Sequence, residues 1–329
     1  MKIASVLLVL SLSAYGQVIE KWYKFDKRFI EHHYSADGSA IGALEASAMH
    51  PAKNPHSVDC GGDDGELHIG VEESALGNSG VPISSLATQA DSNFGIVAEP
   101  PNVTRSTQFF KAIEQADGSR ATFFGYIRLW NEGHDEGPIF PSNPHHVLEV
   151  HPAWGIRADT FVYAPRPAVV FAMPKFSGYG ASKFVPLLSS VPTWLRVAED
   201  QRFVYVHLRK ADNFYQMPVF VKRVGAIGNG KGVEALVDVF SDSAHQNLVY
   251  PNLTVITAAN DPLSSRLQPN RPTFLLGFFS VNLKKAAGIA SGHARTNAVQ
   301  APGALEFFAF GVPLQKAVSS SHPCVEEDD

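Results

Sequence analysis

The segment RATFFGYIRLW (residues 120–130) decides how this chain folds, because a similar segment, RPTFLLGFFSVNL, recurs at residues 271–283. Both copies have the residue types and the two-residue alternation of a β-strand, with a glycine near the middle. A second pair follows in the same order, HVLEVHPAWGI (residues 146–156) and GALEFFAFGV (residues 303–312). Loops absorb the difference in spacing at little entropic cost. The shared order predicts an internal duplication.

The duplication divides the chain into a first half at residues 20–168 and a second half at residues 169–312. A third pair of matching segments, LHI at residues 67–69 and VHL at residues 206–208, supports the same division. Strand propensity alone could also make unrelated short segments look alike. That alternative stays open at this point.

Turn-forming residues separate most of the strand-like segments, and the chain contains 22 Pro and 26 Gly, which favours many turns over long helices. We therefore predict a mainly β protein of two tandem OB-like or similar small β-barrel halves, with one or two short helices. One helix is expected at residues 106–118. The glycine-rich segment at residues 225–232 nearly matches a phosphate-binding loop, but the following residues are typical of a strand, so we interpret it as a hairpin turn. A β-sandwich is the alternative architecture.

The N-terminus has the layout of a secretory signal peptide at residues 1–16, with Lys2, a short apolar run and small residues before a cleavage point at Gln17. That run is too short for a permanent membrane span, and no later segment is typical of one. We therefore expect a secreted or periplasmic protein that is soluble after cleavage. Residues 313–329 are expected to form a flexible acidic tail.

Composition restricts the partners. The formal net charge is −5 and Lys and Arg are not clustered, which argues against nucleic acid and against an anionic membrane surface. The expected partner is an unidentified extracytoplasmic ligand or protein. Cys60 and Cys324 could form a disulfide in an oxidising compartment, and two separate thiols are the alternative.

The first half concentrates histidines and carboxylates, the residue types of metal and acid–base sites. The candidate residues are Asp64, Glu66, His68, Glu99, His134, Glu149 and His151. Alternation along a strand places Glu66 with His68, and Glu149 with His151, on common faces, and these two strands can be neighbours in a small barrel. We therefore predict one contiguous polar cluster. The alternative is that each pair faces water on an ordinary antiparallel sheet.

The same positions resemble a group of exported bacterial proteins of unknown function. The segments are D-x-E-x-H at residues 64–68, A-E-P at residues 98–100 and L-E-V-H-P at residues 148–152. The group has D-x-D-x-H, A-E-x-P and I-E-x-H-P in this order, so Glu66 stands where Asp is usual. The resemblance covers residues 63–156 and implies an OB-like fold and export. Because the group has no assigned activity, it implies no function.

The expected function is that of an exported, non-enzymatic protein that binds a ligand or partner. The alternative is a metal-dependent hydrolase in which His68, His151 and Glu149 hold a divalent ion such as zinc or manganese. In that case Glu66 or His134 would act on the bound water. A carbohydrate-binding module that uses Trp22, Tyr23, Trp130 and Trp154 is a third hypothesis. In the second half, His207 and Glu306 match His68 and Glu149, whereas Phe308 replaces His151, so any site there has been lost.

Overall fold

The strands described in this chain form two closed five-stranded barrels and one four-stranded antiparallel sheet. The computed structural model describes residues 22–34, 40–55, 66–73, 95–101, 103, 108–133, 139–159, 162–163, 178–259 and 261–310. Apolar side chains from both barrels and from the four-stranded sheet belong to one continuous buried core. The predicted signal peptide, Cys60, Cys324 and the acidic tail lie outside the described residues.

The first barrel contains five strands: β2 (Ile41–Pro51), β3 (Ile69–Glu73), β4 (Ile96–Ala98), β5 (Ala121–Leu129) and β6 (Leu148–Ala158). Neighbouring strands are antiparallel except for β4 and β6, which pair in parallel and close the ring. A short strand, β7 (Val162–Tyr163), pairs with the end of β6. Closure pairs the strand edges of the ring, which removes sites for pairing with other chains.

The second barrel repeats this topology. Its strands are β10 (Phe214–Ile227), β11 (Gly232–Phe240), β12 (Leu248–Ala258), β13 (Arg271–Val281) and β15 (Leu305–Phe310). As in the first barrel, the third and fifth strands pair in parallel and the other neighbours are antiparallel. The duplicated segments occupy equivalent places, because β5 and β13 are fourth strands and β6 and β15 are fifth strands. The prediction of two small barrels is therefore confirmed.

The predicted match of residues 67–69 with residues 206–208 is wrong. Residues 67–69 lead into β3, the second strand of the first barrel, but Val206 and His207 belong to β9 (Phe203–His207) in the four-stranded sheet, and Leu208 follows that strand. The counterpart of β3 is β11. Any half-buried strand can place a polar residue between two apolar ones, so a three-residue match carries little information.

The four-stranded sheet has the order β1 (Trp22–Asp26), β9, β8 (Arg196–Glu199) and β14 (Val299–Gln300). In this sheet β1 comes from the predicted first half of the chain, and β8, β9 and β14 come from the predicted second half. Each barrel lies on its own side of that boundary, and the domain limits themselves stay a prediction.

Five short α-helices connect the described strands: α1 (Lys27–His33), α2 (Gln108–Gln115), α3 (Ala181–Ser189), α4 (Val191–Trp194) and α5 (Leu283–Ala290). The helix expected at residues 106–118 is α2, and Gly118 follows it with φ of +74°. The strand predicted to end at residue 283 ends at Val281 instead, because the Asn282 side chain accepts the N–H of Lys285 and caps α5. The glycine-rich segment is a hairpin turn between β10 and β11, as predicted. No helix in the described part of the chain is long and apolar enough to cross a membrane.

The two barrels contact each other through their equivalent fourth strands. Arg128 Nε on β5 donates to the carbonyl of Phe279 on β13 at 3.1 Å, and the N–H of Leu129 donates to Ser280 Oγ at 3.1 Å. Tyr126 stacks on Phe308 with ring centroids 4.2 Å apart. This contact buries the site described below between the barrels.

A glycine shared by the two copies allows the fourth and fifth strands to approach closely. A Cβ added at Gly277 would overlap the carbonyl of Phe308, and one added at Gly125 would overlap the carbonyl of Pro152. We expect Gly277→Ala to lower the free energy of unfolding by about 1–3 kcal/mol, as overpacking does elsewhere. Urea denaturation measures this, with Gly225→Ala on the same barrel as control, since a Cβ there meets nothing within 4 Å. Equal effects of the two substitutions would contradict this explanation.

Candidate functional site

Six ionisable side chains lie together on the face of the first barrel that the second barrel covers. They are Glu66, His68, Glu99, His146, Glu149 and His151, which we call the His–Glu cluster, and none is more than 8% exposed. The alternative, in which each Glu and His pair faces water on an ordinary sheet, is therefore wrong for the candidates that the structure describes. The predicted convergence of the two pairs into one polar cluster is confirmed, but the cluster is buried and does not form a surface. Asp64 and His134 lie outside the described residues.

The expectation that β3 and β6 are neighbours is wrong, because β4 lies between them and pairs with both. Glu99 follows β4 directly, and its N–H donates to the carbonyl of Val150 at 3.1 Å. Its own carbonyl accepts the N–H of Ala153 at 2.9 Å. The parallel pairing of β4 and β6 therefore places Glu99 between Glu66 and His68 on one side and Glu149 and His151 on the other.

His68 faces two carboxylates. Its Nε2 lies 3.6 Å from Glu66 Oε1 and 3.4 Å from Glu99 Oε1. Both separations are longer than ordinary N–H···O hydrogen bonds, which are about 2.7–3.2 Å. The ring of His68 also lies edge-on to that of His146, with centroids 6.2 Å apart.

The tautomer of His146 follows from its backbone contact. Its Nδ1 lies 2.7 Å from the carbonyl of Pro144, and since a carbonyl only accepts, Nδ1 carries the proton. In the neutral ring Nε2 then has a lone pair, which points towards Glu149 Oε1 at 3.7 Å and Glu99 Oε1 at 3.8 Å. A ring nitrogen oriented in this way is typical of metal-binding histidines.

His151 bridges two carboxylates with its two ring nitrogens. Its Nδ1 contacts Glu99 Oε2, and its Nε2 lies 3.5 Å from Glu66 Oε2. The second barrel forms the apolar wall on the other side of the ring, where the centroids of Phe278 and Phe214 lie 5.0 and 5.6 Å away. Both barrels therefore fix the orientation of this imidazole.

A buried guanidinium contacts one edge of the cluster. Arg128 Nη1 donates to Glu149 Oε2 at 3.0 Å and to Glu132 Oε1. Burial by itself raises the pKa of Glu149, but Arg128 and the neighbouring histidines outweigh it and hold this pKa at about 2. The desolvated guanidinium of Arg128 is in turn kept charged by Glu132 and Glu149, which raise its pKa.

Glu99 has the opposite shift. Its pKa lies well above the ordinary value, because burial disfavours the carboxylate and the nearby charges of Glu149 and Glu66 repel it. The contact with His151 offsets only part of this effect. An ion-free cluster therefore tends to keep a proton on Glu99, which a bound cation would displace.

The structure brings together five of the seven candidates predicted from sequence, and adds three side chains that the prediction omitted. The additions are His146, Arg128 and Glu132. Arg128 could have been found, since a charged residue within a strand of apolar character is unusual. His146 stands three residues before Glu149, a spacing that does not indicate contact on a strand.

The second barrel replaces the cluster with a simpler ion pair. Glu306 pairs with Ser280 on β13 as Glu149 pairs with Arg128 on β5, so the predicted match of the two glutamates is confirmed. Lys285 Nζ lies 2.7 Å from Glu306 Oε1, and Asn282 donates to the same atom at 3.0 Å. The proposed match of His207 with His68 is wrong, because His207 lies on β9 outside the barrel.

The aromatic residues considered for sugar binding are mostly core residues. Trp22, Tyr23 and Trp130 are at most 6% exposed, and Trp154 is partly buried against the core. Stacking on a sugar needs an accessible ring face. These aromatic residues therefore do not support the carbohydrate-binding hypothesis.

We expect Arg128→Met to lower the free energy of unfolding by about 3–5 kcal/mol, because removal of one partner leaves buried carboxylates without compensation. Adding Glu149→Gln to the same protein should recover part of this loss, since it removes one of those charges. Chemical denaturation of both variants measures the effect. Arg157→Met on β6 is the control, because that side chain is exposed and should change stability by no more than about 0.5 kcal/mol. Additive effects of Arg128→Met and Glu149→Gln would contradict the coupling.

Known proteins give no independent indication of what this site does. The chain matches no protein-family model, and no curated protein has significant sequence similarity to it. The chemistry of the His–Glu cluster therefore has to be argued from the distances, burial and charges of its own residues.

Proposed function

We propose that this is an exported, non-enzymatic binding protein whose first barrel binds a divalent transition-metal ion in the His–Glu cluster. The observation that carries the proposal is the orientation of His146. Its Nε2 lone pair and two carboxylate oxygens converge on a common point, at separations of 3.7 and 3.8 Å. A proton on Glu99 or a metal ion can compensate such electron pairs in a buried site, and both separations exceed those of a hydrogen bond, which favours the ion.

The nitrogen–oxygen separations support a metal site. The distances are 3.4–3.8 Å between the Nε2 atoms of the three histidines and the nearby carboxylate oxygens, for His68, His146 and His151 alike. Two ligand atoms that each lie about 2.1 Å from a tetrahedral ion are about 3.4 Å apart. The cluster thus has the spacing of ligands around an ion rather than that of hydrogen-bonded pairs.

The residue types indicate which ions fit. Imidazole nitrogens suit zinc and other transition metals, and carboxylate oxygens suit manganese and zinc. Three histidines and three glutamates therefore favour Zn²⁺ or Mn²⁺ over Ca²⁺, which takes oxygen ligands almost exclusively. The contact of His151 Nδ1 with Glu99 supplies the hydrogen-bonded carboxylate that commonly orients a ligating imidazole.

The proposal includes an OB-like fold and export. Two closed five-stranded barrels of the same strand order support the OB-like assignment. The pattern of residues 1–16 supports secretion or a periplasmic location. Mass spectrometry of the protein recovered outside the cytoplasm should find a chain that begins at Gln17, and an unprocessed N-terminus in the cytoplasm would contradict export.

We expect the purified protein to bind Zn²⁺ or Mn²⁺ and to be stabilised by it, by about 2.7 kcal/mol at an ion concentration one hundred times the dissociation constant. His146→Ala and His151→Ala should each weaken this stabilisation, because each removes a nitrogen ligand. Elemental analysis and thermal denaturation with and without chelator measure both effects.

The control is His293→Ala, since His293 lies in the loop after α5 and is not part of the cluster. A protein that neither contains nor responds to either ion would rule out the proposal. Ion-dependent hydrolysis of a chromogenic ester or phosphodiester, lost in Glu66→Gln, would instead support the metal-dependent hydrolase, because Glu66 is the most exposed member of the cluster.

A further inference from the structure

We propose that the His–Glu cluster holds two divalent ions with Glu99 as a bridging carboxylate, an inference that rests on the proposed metal-binding function. The cluster contains two groups of candidate ligands whose atoms lie within 4.8 Å of one another. One group is Glu66, Glu99 and His151, and the other is Glu99, His146 and Glu149. Glu99 belongs to both groups, which is the position of a bridging ligand.

The two oxygens of Glu99 face different histidines. Oε1 lies 3.4 Å from His68 Nε2 and 3.8 Å from His146 Nε2, whereas Oε2 contacts His151 Nδ1. A carboxylate that presents its oxygens to two ligand groups can bind one ion with each of them. Paired ions in proteins are about 3.5–4 Å apart, a separation that a single carboxylate spans.

The number of ligands also favours two ions. Six side chains contribute to the cluster, whereas a tetrahedral zinc ion takes four ligands. Each of the two groups supplies three protein ligands, and His68 lies between Glu66 and Glu99 as a further nitrogen ligand. The ion of the Glu99, His146 and Glu149 group, with three protein ligands, keeps a position for water or hydroxide.

The charges point in the same direction. Among the described residues, Glu132 and Glu149 contact the guanidinium of Arg128, and Glu66 and Glu99 contact the histidines of the cluster. Glu99 can bridge two ions only as a carboxylate, that is, after it has released the proton that it keeps without an ion. Two divalent ions supply more positive charge to hold all of these carboxylates ionised than one ion does.

The second barrel shows how the same fold compensates a single acid. Glu306, the counterpart of Glu149, has one ammonium group at 2.7 Å, that of Lys285. One cation per buried carboxylate is enough there. In the first barrel Arg128 compensates Glu149 in the same way, whereas the additional carboxylates, Glu66 and Glu99, face histidines, with which they can bind ions.

The test uses the mature full-length protein, freed of metal by chelator and loaded with Mn²⁺. Equilibrium dialysis with elemental analysis should give two ions per chain at saturation, and electron paramagnetic resonance should show the exchange-coupled spectrum of a bridged manganese pair. The spectrum of isolated Mn²⁺ with one ion per chain would overturn the two-ion inference and leave the proposed function intact. Absence of bound ions would overturn both.

Substitutions in the cluster test the bridging role of Glu99 independently of the number of ions that the wild-type protein binds. His146→Ala removes a ligand from one group only, so this variant should bind one ion and lose the coupled spectrum. Glu99→Gln should lose the coupling as well, because an amide bridges two cations poorly. His293→Ala, the control, should keep two coupled ions. Circular dichroism checks that each variant is folded, and a His146→Ala protein that still binds two coupled ions would contradict the assignment.

Discussion

The contact between Arg128 and Glu149, buried between the two barrels, is the interaction on which the rest of the structure depends. A buried carboxylate is stable only when it is compensated, and this guanidinium is itself completely buried. Arg128 meets that need with Nη1 and uses Nε to bind the carbonyl of Phe279 in the second barrel. The same side chain therefore supports the His–Glu cluster and the contact between the barrels.

The second barrel has Phe308 where the first has His151, but it contributes to the site. Phe278 packs against the ring of His151 and against the guanidinium of Arg128, whose central carbon lies 4.4 Å from the ring centroid. These apolar contacts exclude water and lower the local dielectric constant, which strengthens the electrostatic interactions within the cluster. The second barrel, which lacks these histidines, thus encloses the His–Glu cluster of the first barrel.

The two copies differ most where their fifth strands begin. The pairing of Glu149 with Arg128 and of Glu306 with Ser280 is equivalent, but the first barrel has a register shift between Gly125 and Ile127 that the second lacks. His151 and Pro152 lie opposite this irregularity. Such a bulge changes the direction of a strand and is often found near functional sites. In the second barrel Phe308 takes the equivalent place, and the strand continues regularly.

The sequence by itself determined the fold class, because period-two alternation and the repeat of residues 120–130 at 271–283 are local patterns that strands impose. It also indicated most of the cluster, since histidines and carboxylates are concentrated in the first half and alternate along its strands. Only the tertiary structure decided that β4 separates β3 from β6 and that Arg128 and His146 belong to the site. Strand order and side-chain burial arise from pairing between distant segments, and the spacing of residues along one strand carries no information about which strand lies beside it.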